Sequence, residues 1–140
     1  MVELRKVECP SEKVEIKCPY AMTPTRIVIH NTANDASAAN EIAYMLSNNK
    51  ETSFHFAVDD KEIVQGIPLN RNAWHAGDGN GKGNREGIAI EICYLNIKLN
   101  MNPRNQINVT SQNHQVYIAV ESFEIQLPRV YLHYLLLIFL

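Results

Sequence analysis

Ile27, Val28 and Ile29 form an aliphatic run that ends in His30, and a second apolar run, "GIAIEIC" from Gly87 to Cys93, carries one carboxylate, Glu91. An imidazole or a carboxylate is costly to bury without a partner, so each needs a reason to be there. A carboxyl group in apolar surroundings has a raised pKa, which suits a general acid or base working near neutral pH. A histidine at a strand end is a natural metal ligand, with its second ring nitrogen held by a hydrogen-bond partner. The plain alternative is a satisfied structural histidine and a glutamate that points to solvent, and residue types alone leave both open. Cys93, two residues from Glu91 on the same strand face, is either a thiol nucleophile beside His30 or a small buried core residue. His55, inside "SFHFAV", either lines the cleft of His30 or fills a half-buried sheet position, and the alternation favours the second.

The loop "NAWHAGDGNGKGNREG" holds five glycines, at 77, 79, 81, 83 and 87. Its spacing fits neither G-x-x-x-x-G-K-[ST] nor G-x-G-x-x-G, so a phosphate cradle is excluded. Preceded by Trp74 and His75, it suits a groove wall on which a sugar or peptide would pack; a solvated loop anchored by one Trp is the alternative. No G-x-S-x-G elbow is present, so a serine triad is not recognisable.

The elements that must position these groups follow from pattern. Residues 1–25 read as an extended arm broken by Pro10, Pro19 and Pro24. Arg26–His30 reads as a strand. Ala38, Ile42, Met45 and Leu46 recur at helical spacing, with Asp35 or Ser37 as N-cap and Asn48-Asn49 as the stop. Phe54, Phe56 and Val58 alternate with Ser53, His55 and Ala57; a turn at residues 59–61 then leads into Glu62–Ile67, which predicts a hairpin. The glycine-rich stretch predicts a loop, and Gly87–Tyr94 another strand. This order predicts an α/β domain, a mixed central sheet flanked by helices, with its central strands buried on both faces. Length predicts a single domain over residues 1–140.

A net charge of -2 gives no pull toward nucleic acid or acidic membranes. The first 20 residues hold no apolar core of a signal peptide, which predicts synthesis in the cytoplasm without one. The longest apolar run, "YLLLIFL", falls far short of the ~20 residues of a membrane span. Three cysteines (Cys9, Cys18 and Cys93) argue against a disulfide framework, although a Cys9–Cys18 bridge would form in an oxidising space. No C-x-x-C occurs, so zinc-finger spacing is absent.

The stretches "YAMTPTRIVIHNTAND" and "SFHFAVDDKEIVQGIPLNRNAWHAGDGNGKGNREGIAIEIC", in that order, closely resemble the type-2 N-acetylmuramoyl-L-alanine amidases. Bacillus-type cell-wall amidases and phage endolysin catalytic domains belong to this group, and peptidoglycan-recognition proteins share its fold. The match runs from about Cys18 to Tyr94. The resemblance implies a zinc hydrolase that cuts the amide between N-acetylmuramic acid and L-alanine of bacterial peptidoglycan. It implies action at the cell wall; a monomer is expected. Family members hold zinc with two histidines and a cysteine or aspartate. His30 matches the first ligand, Glu91 the catalytic general base, and Trp74 and His75 the loop placed against the substrate. "IQLPRVYLH" resembles the segment that carries the second ligand, which makes His133 that ligand. The C-terminal third departs from the family: "YLLLIFL" stands where a W-S-G-K turn is expected, and the third ligand would fall at or beyond Leu140. A reading frame shifted or truncated after Tyr94 is therefore expected. The competing reading is a peptidoglycan-binding domain with an incomplete zinc site and no activity.

Overall fold

The structure, a computed structural model, describes residues 3–32, 34–93 and 115–118. The expectations for the Asn-rich segment and the C-terminal tail, His133 included, lie outside the described residues. Strands β1 (Glu3–Lys6), β2 (Arg26–Asn31), β3 (Phe56–Val58), β4 (Glu62–Gln65), β5 (Gly87–Ile92) and β6 (Gln115–Ile118) form one mixed sheet, ordered β1-β4-β3-β5-β2-β6. Helices α1 (Ser11–Lys17), α2 (Ala38–Ser47) and α3 (Lys82–Glu86) lie between them along the chain. β2, β5 and β3 run parallel to one another at the centre, while β3–β4 is the expected antiparallel hairpin.

The central strands alternate between two apolar faces, as a period of two requires. Ala89 of β5 and Ala57 of β3 pack with Ala38, Ile42, Met45 and Leu46 of α2. Their neighbours Ile88, Ile90, Phe56 and Val58 turn to the opposite face, with Met22 and Ile63. Small residues on the α2 side let the helix come close. At Gly66 an added Cβ would lie 2.8 Å from Met45 Cε and 2.9 Å from Ile42 Cδ1, tighter than side chains tolerate.

α2 begins where its cap predicts. The Ser37 side chain accepts a hydrogen bond from the Asn40 amide, and Asn48 follows the last turn. A second acceptor was not evident in the pattern: Asp59 takes the Ala38 amide at 2.8 Å and, from its other oxygen, the Lys61 and Glu62 amides. Burial works against this carboxylate, but those backbone donors outweigh it and hold its pKa below the ordinary value. One side chain thus closes the β3–β4 turn and anchors the start of α2.

The N-terminal segment is not an extended arm. β1 pairs in parallel with β4, and α1 follows immediately after Pro10. Proline interrupts a helix only from inside it. At the cap position its missing N–H is not called upon, while its carbonyl accepts the first helical bond from Lys13. α1 ends in Lys17, whose side chain is fully buried and whose Nζ donates to the carbonyls of Lys50 and Thr52 and to Asn48 Oδ1. That ammonium ties α1 to the segment leaving α2. Cys9, Cys18 and Cys93 are free thiols.

His55 is wholly buried and takes the structural role favoured by its pattern. Its Nδ1 accepts from the Ala89 amide at 3.0 Å and its Nε2 donates to the Arg71 carbonyl at 2.9 Å, so it braces β5 against the loop after β4. Burial lowers its pKa from 6.5 to about 4, partly offset by the Arg71 carbonyl. A base depressed on folding contributes stability above its ordinary pKa and loses it as pH falls through the folded value. The urea midpoint is therefore expected to fall as pH drops from 6.5 toward 4. The share due to this ring is roughly 3 kcal/mol, and His55→Gln is expected to flatten that slope in urea titrations across this range.

Candidate functional site

Parallel register sets the site. His30 of β2 lies directly beside Glu91 of β5, and Glu91 beside Ala57 of β3. In-register residues of parallel strands point to the same face, here the one that packs on α2. β2 and β5 thus deliver an imidazole and a carboxylate side by side at the ends of two buried strands. Beyond Glu91 a cleft of about 330 Å³ opens between the strand ends and α2, with Asn31, Thr32, Glu41, Tyr44 and Lys50 among its walls.

Glu91 has no hydrogen-bond partner among the described residues that would stabilise its charge. Burial, followed by the nearby Glu41 carboxylate, pushes its pKa up to about 7. Near neutral pH such a group both accepts and returns a proton readily. Cys93 does not share the site as a nucleophile. It is fully buried, and burial together with the charges of Glu41, Asp59 and Glu91 pushes its thiol up to about 12. It is a core residue packed among α2 side chains.

His75 comes to His30. His30 Nε2 and His75 Nδ1 are 3.0 Å apart, and the rings meet edge to face with centroids 5.2 Å apart. Burial lowers the pKa of His30. For His75, burial and then the neighbouring His30 and His55 rings lower it to about 3, so both imidazoles are neutral at physiological pH. Trp74 is turned elsewhere, packing edge to face on Tyr20 with centroids 5.9 Å apart, while the Arg85 guanidinium lies over the other ring of that pair, Tyr20, at 4.1 Å.

Three residues that the sequence pattern does not single out complete the arrangement. Asn84 Oδ1 accepts both the His75 and Ala76 amides, at 2.7 and 2.8 Å, and its Nδ2 donates to the Gly79 carbonyl. Asp78 accepts the amides of Gly83 and Asn84 and so seats α3. The glycine-rich stretch is accordingly not all loop: Gly77 and Gly79 take the expected left-handed angles (φ 68° and 61°), but Gly83 lies inside α3. Glu41 is the third, with one carboxylate oxygen buried and unpartnered among the described residues. The D-G-N-G-K-G-N string offered a signal for Asp78 as a capping acceptor; Asn84 and Glu41 carry none that is local.

As a zinc ligand His30 fits: it is neutral, buried, at a strand end and engaged through one ring nitrogen only. A catalytic zinc takes three protein ligands. Among the described residues no group of three or more His, Cys, Asp or Glu could hold a metal ion. The remaining ligands of such a site would come from outside them, where His133 lies.

The family model for N-acetylmuramoyl-L-alanine amidase matches residues 20–134. The chain belongs to this amidase family. Among curated relatives it is 62% identical over 94 residues to the amidase XlyB of Bacillus subtilis, covering 66% of this chain and 30% of that protein. It is 68% identical over 83 residues to the Bacillus subtilis amidase CwlA, covering 59% and 30%. The matched part therefore spans about a third of the length of these amidases. Among solved structures, PlyL matches with a TM-score of 0.65 and 59% identity, over 66% of this chain and 58% of that one. The catalytic domain of XlyA matches with a TM-score of 0.61 and 52% identity, over 66% and 61%. The mixed sheet with flanking helices is thus the amidase fold.

Asn84→Ala would leave two amides of the site loop without an acceptor. The His75 and Ala76 amides are expected to exchange with solvent faster, and the domain to lose about 1–3 kcal/mol. Native-state hydrogen exchange and urea unfolding read these two effects separately.

Proposed function

We propose that this amidase-family chain is a zinc-dependent N-acetylmuramoyl-L-alanine amidase, hydrolysing the amide between N-acetylmuramic acid and L-alanine in bacterial peptidoglycan. The observation that carries the reading is Glu91, a carboxyl group near pKa 7 at the mouth of a cleft and in register with His30, in a chain of this family. Glu91 serves as general base, taking a proton from the attacking water. It then hands that proton to the departing amine of L-alanine, which balances the hydrolysis. Zinc, when bound by His30 with His133 as a second ligand, supplies the Lewis acidity that polarises the scissile carbonyl.

The cleft beside α2 receives part of the glycan-peptide strand. The substrate places the site of action at the cell wall. No helix among the described residues is long and apolar enough to cross a membrane.

Glu91→Gln keeps the shape and removes the base, so hydrolysis of purified wall is expected to fall 10²–10⁴-fold. The same variant has a stability signature. An acid raised from 4.5 to about 7 on folding holds its proton more tightly when folded. Its stabilising contribution is full below pH 4.5 and is lost as pH rises through about 7. The variant should therefore lose less Tm than the parent between pH 5 and pH 8, and an equal loss in both would refute the buried-carboxyl account.

The metal part is tested by elemental analysis after dialysis against a weak chelator. About one zinc per folded chain is expected. Zinc near zero in a folded protein that still sediments with cell walls would overturn the hydrolase reading, and would identify a wall-binding domain instead.

A further inference from the structure

The pair of imidazoles at 3.0 Å constrains where the protons are. Two bare ring nitrogens at that distance repel, so one must donate and the other accept. Each neutral ring has a single proton to place. A metal held by His30 needs a lone pair on the ring nitrogen that His75 does not engage, Nδ1, so the His30 proton belongs on Nε2. His75 Nδ1 is then a lone pair, and the donor across the 3.0 Å gap is His30 Nε2–H. His30 Nδ1 is left unprotonated, and it makes no hydrogen bond among the described residues.

We propose that His75 is a positioning residue that fixes the tautomer and ring orientation of His30, so that Nδ1 is the nitrogen His30 presents to the metal. This rests on the reading of His30 as a zinc ligand. A strand fixes the backbone of a ligand but leaves its ring free to turn about two side-chain bonds, and a second hydrogen-bonded ring removes that freedom. The rest of the loop serves this contact. Asn84 holds the His75 and Ala76 amides, and Asp78 seats the helix from which Asn84 projects. The left-handed turns at Gly77 and Gly79 bring the chain back so that Asn84 can reach the residues before them. The glycine-rich loop thereby works as a bracket for one imidazole.

The test uses the whole chain labelled with ¹⁵N, and long-range ¹H–¹⁵N spectra that report which ring nitrogen of each histidine is protonated. In the metal-free protein His30 is expected as the Nε2–H tautomer, and added zinc should shift the Nδ1 signal. His75→Ala should give a mixture of His30 tautomers and a 10–100-fold loss of zinc affinity, measured by competition with a chelating dye. His75→Gln, whose amide oxygen can accept from Nε2–H, should recover most of that affinity and a single tautomer. His30 found as Nδ1–H in the parent would overturn the proposal, as would unchanged affinity and tautomer in a folded His75→Ala variant. A zinc-induced shift at a His75 nitrogen would make that ring a ligand, and would overturn the positioning role too. Absence of any zinc binding by the parent would instead defeat the ligand reading of His30, while the metal-free spectra still decide the hydrogen bond.

Discussion

The parallel pairing of β2 with β5 is the constraint on which the site depends. Its register puts His30 against Glu91, and a slip of one residue would send one of them to the opposite face. Register in a parallel pair has no turn to define it. It is held by what the strands bury: Ile88 and Ile90 on one side, Ala89 on the other, all nine-tenths or more out of solvent. His55 adds a lock, because its ring and its backbone amide both bond to Ala89, one residue away from the apolar partners that set the alternation. The chemistry at the strand ends is therefore positioned by packing several residues earlier.

The same burial tunes the groups it positions. Taking a carboxylate out of water favours its neutral form, and taking an imidazole out of water does likewise, so both move toward neutrality at working pH. For Glu91 this makes proton exchange easy; for His30 and His75 it leaves lone pairs on nitrogen rather than charge. Glu41 acts in the same direction on Glu91 from across the cleft. One apolar environment thus brings a carboxyl group and two imidazoles toward neutrality at once.

Much of this was legible in residue pattern. The β2 strand, α2 with its Ser37 cap, the β3–β4 hairpin and β5 are all local signals of period and capping, and they stand where the pattern puts them. His30 and Glu91 were visible because they violate the apolar runs that carry them. What was not legible depends on distance in the chain. Asp59 caps a helix that begins 21 residues before it, and Lys17 bonds to carbonyls 33 and 35 residues on. α1 was missed because three prolines suggested breakage, whereas Pro10 sits at the helix boundary, where it does no harm. His75 read as a groove residue because, with Trp74, it stands at the head of the glycine-rich loop. Its partner lies 45 residues away on another strand, and no local pattern encodes that.

The buried polar groups divide by how they are satisfied, and the division separates frame from site. Lys17, His55, Asp59 and Asn84 each meet two or three partners, so their burial adds specificity at little net expense. Glu91 and one oxygen of Glu41 have none among the described residues, and they face the same cleft. Leaving a carboxyl group desolvated and unpaired destabilises a fold. A sheet this well braced tolerates that local cost, and the groups left unsatisfied are the ones a substrate can engage. In this domain the stability of β2, β3 and β5 is what allows Glu91 to stay desolvated and unpaired among the described residues.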